Sequence, residues 1–248
     1  MTSTSTAGPA LAFQGVNKAY GTTVALEQFT LEVPRSEIFG LVGGNGAGKT
    51  TLIKCLLDFV EMDAGEIRLF GVSSRLTVSR SELAFLPERF NPPHYLTGRD
   101  FLRYMSELHR KPYVEEQALD TLERLDLDAA ALDRPARTYS KGMTQKLGLA
   151  ACLLSGKALQ VLDEPTSGLD PKARALLKRE LRALREAGRT VFFSSHALAD
   201  VEEICDRMAV VHGGRLRFAG KAAALKSLYA SASLEEAFLQ CIAEAAPA

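Results

Sequence analysis

Apolar residues recur along this chain with two periods, and the period changes with position. Over the first forty residues the pattern is that of strands. Leu11, Phe13 and Val16 open one extended stretch, and Val24 to Val33 forms a second, rich in strand formers and ended by Pro34. Ile38-Phe39-Gly40-Leu41-Val42 is a continuous apolar run that ends in glycines, the pattern of a strand buried on both faces. Leu52, Ile53, Leu56 and Leu57 then fall at i, i+1, i+4 and i+5, one buried face of a helix. Glu66 to Phe70 alternates and stops at Gly71, and Leu83 to Leu86 is a short buried strand stopped by Pro87.

The character then turns helical. Thr97 with Asp100 three residues on resembles a capping box, followed by Phe101, Leu102, Met105 and Leu108 at helical spacing. A second helix is predicted near Val114 to Leu125. A third opens after Ser140 with Leu147, Ala150, Ala151 and Leu154 on one side. Strand and helix then alternate again. Leu159 to Leu162 is an apolar strand, and Asp170-Pro171 an N-cap and first-turn pair. Leu176, Leu177, Leu181 and Leu184 form a core stripe, with Gly188 as the C-cap. Thr190 to Phe193, a short helix carrying Leu198, Val201, Ile204 and Cys205, and Met208 to Val211 follow. Gly213-Gly214 is a turn into Arg215 to Phe218. The pattern predicts an α/β fold in which a mostly helical segment, about 90–155, is inserted between two α/β blocks.

Composition narrows the class without deciding it. The 248 residues suit one α/β domain with an inserted subdomain, and 46% hydrophobic with 24% charged residues is ordinary for a globular chain. Thirty Lys and Arg balance thirty Asp and Glu, so no bulk charge favours nucleic acid, and no nucleic-acid partner is expected. No apolar stretch approaches the roughly 18 residues of a membrane span. The opening MTSTSTAGPA lacks the basic and apolar regions of a signal peptide and reads as a disordered tail, 1–10. Cys55, Cys152, Cys205 and Cys241 are far apart, which argues against a structural zinc or a disulfide framework and for a reducing, cytosolic setting.

Gly43 to Thr50 reads GGNGAGKT, an unbroken G-x-x-x-x-G-K-[ST] string between a buried strand and a helix. Glycines permit backbone conformations in which successive N–H groups converge on phosphate oxygens. Gly43, Gly44, Asn45, Gly46, Ala47, Gly48, Lys49, Thr50 and Thr51 are therefore the candidate phosphate cradle. Lys49 would reach the β- and γ-phosphates and the Thr50 hydroxyl would ligate Mg²⁺. Downstream, Leu159-Gln160-Val161-Leu162 ends in the adjacent carboxylates Asp163 and Glu164, at the strand edge where open α/β sheets bind ligands. Asp163 is placed to hold Mg²⁺, and Glu164, pointing differently, suits activation of an attacking water.

These landmarks in this order resemble the nucleotide-binding domain of ABC-type ATPases, over nearly the whole chain from about Leu11. LDEPTSGLD, Leu162 to Asp170, is similar to the family's Walker B and D-loop; YSKGM, Tyr139 to Met143, is similar to its LSGGQ signature and retains Ser140 and Gly142. His196 falls at the switch-histidine position, and Tyr20 where the family stacks an aromatic ring on adenine. The resemblance implies a P-loop NTPase core with an N-terminal antiparallel β subdomain and an inserted α-helical subdomain, an ATPase domain over 11–230 and a helical tail over 231–248. It implies ATP and Mg²⁺ as ligands, with Glu164, His196 and Lys49 catalytic. Two domains would pair head to tail, each ATP lying between one Walker A and the other chain's Ser140 and Gly142, with Asp170 in the D-loop. His94, His109 and His212 have no such context.

Two positions depart from the family pattern. Glu88 stands where the family has its Q-loop glutamine, and is read as a contact to the metal region or as an exposed loop carboxylate. Lys141 replaces the signature's first glycine and Met143 its glutamine. A cation at a helix N-terminus is unfavourable by a few tenths of a kcal/mol. Lys141 therefore either faces a triphosphate across an interface or is a solvated surface lysine.

The resemblance implies an energy-coupling subunit, peripheral on the cytoplasmic face of the inner membrane. Its partners would be a separate integral membrane permease and a second copy of itself or a homologous ATPase subunit. Arg89 to Arg99 would dock the permease, with Phe90 and Tyr95 either entering its groove or joining the core. Ser233 to Phe238, SLEEAF, resembles the tail of export-type members of the multidrug, nodulation or copper-processing kinds. A soluble ABC-type ATPase acting on ribosomes or DNA is the alternative. A small-molecule kinase or GTPase shares the P-loop but would lack YSKGM and His196.

Overall fold

The computed structural model describes residues 8–244. The chain opens with strands β1 (Leu11–Tyr20), β2 (Thr23–Val33) and β3 (Ile38–Val42). Helix α1 (Lys49–Leu56) and strands β4 (Ala64–Leu69), β5 (Val72–Ser73) and β6 (Leu83–Leu86) follow. Helices α2 (Gly98–Leu108), α3 (Glu115–Arg124) and α4 (Lys141–Ser155) come next. Alternation then resumes with β7 (Leu159–Asp163), α5 (Pro171–Glu186), β8 (Thr190–Ser195), α6 (Leu198–Ile204), β9 (Arg207–His212) and β10 (Arg215–Gly220). Helices α7 (Ala222–Leu228) and α8 (Leu234–Ala243) close it. Of the tail expected over 1–10, residues 1–7 lie outside the described residues, as do 245–248. Ala10 is buried and donates its N–H to Val33 O at 2.9 Å.

Two sheets form, β2-β1-β4-β5 and β10-β9-β3-β8-β7-β6. The first is antiparallel throughout. In the second, β9, β3, β8, β7 and β6 run parallel and only β10 is antiparallel. Its central strands carry apolar side chains on both faces, as a sheet covered on both sides requires. Phe39, Leu41, Val161, Phe192, Ala209 and Val211 join β1, β2, β4 and α1 in one core. Ile38, Val42, Leu162, Phe193, Met208 and Val210, one residue away on the same strands, join the helices in the other. The two-residue period of the strand sorts neighbouring residues into different layers. Phe13 links the sheets, lying 6.0 Å from Phe29 and 6.1 Å from Phe192, which is 6.1 Å from Phe39.

Local capping starts the helices where the sequence places their starts. Thr97 accepts from the Asp100 N–H, Ser140 from Met143 and Asp170 from Ala173. Helix α5 ends in a Schellman arrangement: Ala187 is the cap and Gly188 follows at φ +75°. Arg189 N–H reaches Leu184 O, and Gly188 N–H reaches Arg185 O. The stripe of α2 outlasts its packing surface, for Phe101 and Leu102 are buried whereas Leu108 at the last turn is exposed. Beyond β6, Phe90 packs on Phe101 with ring centroids 5.4 Å apart, so it belongs to the core, and Tyr95 points out. The cysteines are free thiols, three of them buried, and burial pushes the Cys152 thiol up to about 12.

Candidate functional site

Because β3, β6, β7 and β8 are parallel and in register, their carboxyl ends emerge along one edge. Val42 pairs with Ser195, Asp163 with Ser194, and Leu86 with Leu162. The glycine-rich loop, Glu88, the Asp163-Glu164 pair and His196 each follow one of these ends, and the sheet alone brings them together.

The loop is shaped by two glycines. A Cβ on Gly43 would lie 2.5 Å from Val211 O, and one on Gly48, at φ +110°, 2.6 Å from Ala25 O. No side chain fits either place. Gly48 leads into α1, whose first residue, Lys49, is buried; its Nζ donates to Gly43 O at 2.7 Å and Gly44 O at 3.2 Å. Burial pulls the Lys49 pKa down, opposed by the charges of Glu164, Asp163 and Glu88. Gly44 has open space where its Cβ would be. The α1 N-terminus and its free N–H groups thus face a cleft of about 690 Å³.

Opposite the loop, Asp163 and Glu164 are both buried. Ser194 fixes them jointly: its hydroxyl donates to Asp163 Oδ1 and accepts from Glu164 N–H at 3.0 Å. The Thr50 hydroxyl lies 3.3 Å from Asp163 Oδ2. Burial raises the Asp163 pKa above the usual carboxylate value. Hydrogen bonds from Ser194 and Thr50 work against this, and the nearby Glu164 and Glu88 charges add to it. Glu164 adopts φ +50°, a region costing an L-residue roughly 1–2 kcal/mol. That twist turns its side chain away from Asp163 into the cleft. There Oε1 is 3.9 Å from Lys49 Nζ and Oε2 is 2.8 Å from His196 Nδ1. His196 is mostly exposed and sits in a turn where Ala197 N–H bonds to Ser195 Oγ.

Of the residues singled out in the sequence, Gly44 to Thr51, Glu88, Glu164 and His196 line this cleft. Gly43 lies beneath it, and Asp163 reaches its edge through Thr50. Glu88 also lines an adjoining hollow with Phe59, Phe85, Pro87 and Arg89. Tyr20 is outside the lining, but it pairs in register with Thr23, which lines the cleft. Ser140, Gly142 and Asp170 are not part of the cleft either. Ser140 caps α4 and Asp170 caps α5. Tyr139, just before Ser140, donates to Ala131 O and packs over Gly98. Thr23, Val24, Ala25, Ser167 and Ser194 were not foreseen as site residues. The only signal for Ser194 was a polar residue ending an otherwise apolar strand.

Among the described residues no group of three or more His, Cys, Asp or Glu forms a metal cage. One hydroxyl and one carboxylate side by side, with Glu88 and Glu164 nearby, instead fit a hard cation that keeps waters and shares phosphate oxygens.

The chain matches the family model described as ABC transporter over residues 26–167. An ABC transporter ATP-binding protein of Synechocystis sp. is 38% identical over 203 residues, 80% of this chain and 57% of that protein. The Nod factor export ATP-binding protein I of Sinorhizobium fredii is 35% identical over 222 residues, 87% of this chain and 64% of that one. The chain thus spans about three-fifths of the length of these two relatives. A solved ATP-binding subunit of an ABC transporter superposes with a TM-score of 0.86 at 28% identity, covering 94% of this chain and 99% of that one. A dimeric bacterial ABC transporter cassette shares the fold at a TM-score of 0.79 and 20% identity, covering 85% and 98%.

Proposed function

The chain belongs to the ABC transporter ATP-binding family, and from that premise we propose that it hydrolyses ATP to energise a membrane permease carried on another chain. The observation that carries the reading is the single cleft that joins a phosphate loop, Lys49, Glu164 and His196 at one sheet edge.

In this reading the triphosphate lies along the N–H groups from Gly44 to Thr51, and Lys49 turns from the loop carbonyls to the β- and γ-phosphates. Tyr20, beside Thr23, stacks on the adenine. Thr50 and Asp163 would hold a magnesium ion, with Glu88 facing it, and when bound such an ion would supply positive charge beside the phosphates. Glu164 orients a water in line with the γ-phosphorus and accepts its proton as the water's oxygen bonds to phosphorus and the bond to ADP breaks. His196, in contact with Glu164, donates a hydrogen bond to the γ-phosphate. The charge that develops needs donors from several directions. Ser140 and Gly142 supply them from a second copy, because in their own chain they stand apart from the cleft. There the N-terminus of α4 points at the opposite γ-phosphate.

Among the described residues no helix is long and apolar enough to cross a membrane; a peripheral place on the cytoplasmic face beneath a permease rests on the likeness to ABC transporter ATP-binding proteins. The hollow beside Glu88, with exposed Phe59, suits docking of that partner. Export is favoured by the likeness to a Nod factor export protein and by the Ser233–Phe238 segment.

The test uses the Glu164→Gln protein, purified from solubilised membranes of its source cell with ATP and Mg²⁺. A multi-spanning protein recovered in near-equal amount supports the reading. Recovery only from the soluble fraction with ribosomal or nucleic-acid components overturns it.

A further inference from the structure

Lys141, the first residue of α4, lies across the turn that follows Glu164 in its own chain. Its Nζ donates to Ser167 Oγ at 3.3 Å. Its Cγ, Cδ and Cε pass so close to Gly168 that a Cβ there would lie 2.8 to 3.1 Å from them. Two neighbours on the same helix reach the same turn. A Cβ on Gly142 would come within 3.2 Å of Gly168 O, and the buried Gln145 donates to Pro165 O at 3.1 Å. The turn itself is held by Ser167 N–H to Glu164 O at 3.0 Å and Leu169 N–H to Thr166 O at 3.2 Å, with Gly168 at φ +77°. Among the described residues Lys141 forms no ion pair, so a carboxylate partner does not account for a cation at a helix N-terminus. Packing of its methylene stem on a residue without a side chain does.

We infer that Lys141 is a positioning residue that clamps the Pro165–Gly168 turn to the first turn of α4. The inference rests on the head-to-tail pairing proposed above. In such a pair the α4 N-terminus faces the partner's nucleotide while Glu164 faces its own. The clamp therefore makes the two sites of a dimer share one rigid element, and coupling through it acts in both directions.

The first readout needs no pairing: amide hydrogen exchange of the 165–169 segment in the nucleotide-free protein. Lys141→Gly is expected to speed exchange there about fivefold or more, while Lys141→Met, which keeps the stem, stays near the parent protein. Unchanged exchange in Lys141→Gly, or equal loss in both variants, overturns the clamp.

The second readout is ATP turnover. Lys141→Gly and Gly168→Ala should each lower kcat about fivefold with KM little changed, and Lys141→Met should restore most of the rate. The pair of substitutions together should lose less than the sum of the two, since the contact can be broken only once while Gly168→Ala adds its own strain at φ +77°; fully additive losses overturn the proposal. If the parent protein itself neither pairs nor hydrolyses ATP, the proposed function fails, and the exchange result still decides whether the clamp exists.

Discussion

Glu164 Oε2 and His196 Nδ1 lie 2.8 Å apart, at hydrogen-bond distance but without an aligned donor. This buried carboxylate meets an imidazole on one oxygen and lies 3.9 Å from Lys49 on the other, and its Oε2 gains no hydrogen bond that would stabilise the fold. Glu164→Gln is expected to lower kcat by about two to three orders of magnitude while nucleotide affinity stays within a few fold. His196→Ala should lose a similar amount, and the double variant little more than the worse single one. Phosphate release at saturating ATP, with a separate nucleotide titration, checks both. Full activity of Glu164→Gln would remove it from the mechanism.

Asp163 has the opposite character, a carboxylate whose charge the folded protein disfavours. Its pKa is raised chiefly by burial, so the folded state holds the proton more tightly than the unfolded chain. Stability from this group is greatest in acid and falls as pH rises through the raised value. Asp163→Asn should therefore melt at a higher temperature than the parent near neutral pH, while turnover collapses. Ser194 can still donate to the amide oxygen. The gain should shrink on acidification, and a lower melting temperature at neutral pH would contradict the reading.

Two loop glycines should separate folding from binding. Gly48→Ala forces a Cβ to 2.6 Å from Ala25 O at φ +110°, and should cost about 3 kcal/mol or prevent folding. Gly44→Ala meets nothing within 4 Å and should change stability by less than about 0.5 kcal/mol. Its methyl would instead stand in the cleft and weaken ATP binding at least about tenfold. Thermal melts and nucleotide titrations of the two variants test the contrast, which fails if Gly44→Ala binds ATP normally.

His109, at the end of α2, gives a stability signature in mild acid. Burial pulls its pKa below 6.5, helped by the positive charges of Lys157 and Lys111. Below 6.5 the unfolded chain takes up the proton first, so stability should fall as pH drops from 6.5 through the lowered folded value. His109→Gln should flatten this part of the profile. A parallel slope in parent and variant, read as melting temperature against pH, would assign the effect elsewhere.

Much of the fold was legible because its signals are local. Thr97, Ser140 and Asp170 each satisfy an N–H three residues on, so short strings mark the helix starts. The GGNGAGKT loop is likewise a contiguous object, since consecutive N–H groups build the phosphate cradle. The two-residue strand Val72–Ser73 and helix α7 were missed, because neither carries a long enough periodic pattern.

The sequence by itself determined the chemistry on offer: a phosphate loop, two adjacent carboxylates, a histidine after a strand, and an α/β order of elements. Only the tertiary structure decided which groups meet. Ser194 touches both Asp163 and Glu164 because β7 and β8 are in register, although they lie 31 and 30 residues from it in the chain. Lys141 rests on Gly168, and Ala25 closes over Gly48, for the same reason: contacts between distant segments are set by sheet register and helix packing. Tyr20 was placed by its motif on the nucleotide and by the strands beside Thr23, one pair from the cleft lining. Side-chain type is written at each position along the chain, whereas proximity depends on every strand and helix packed in between.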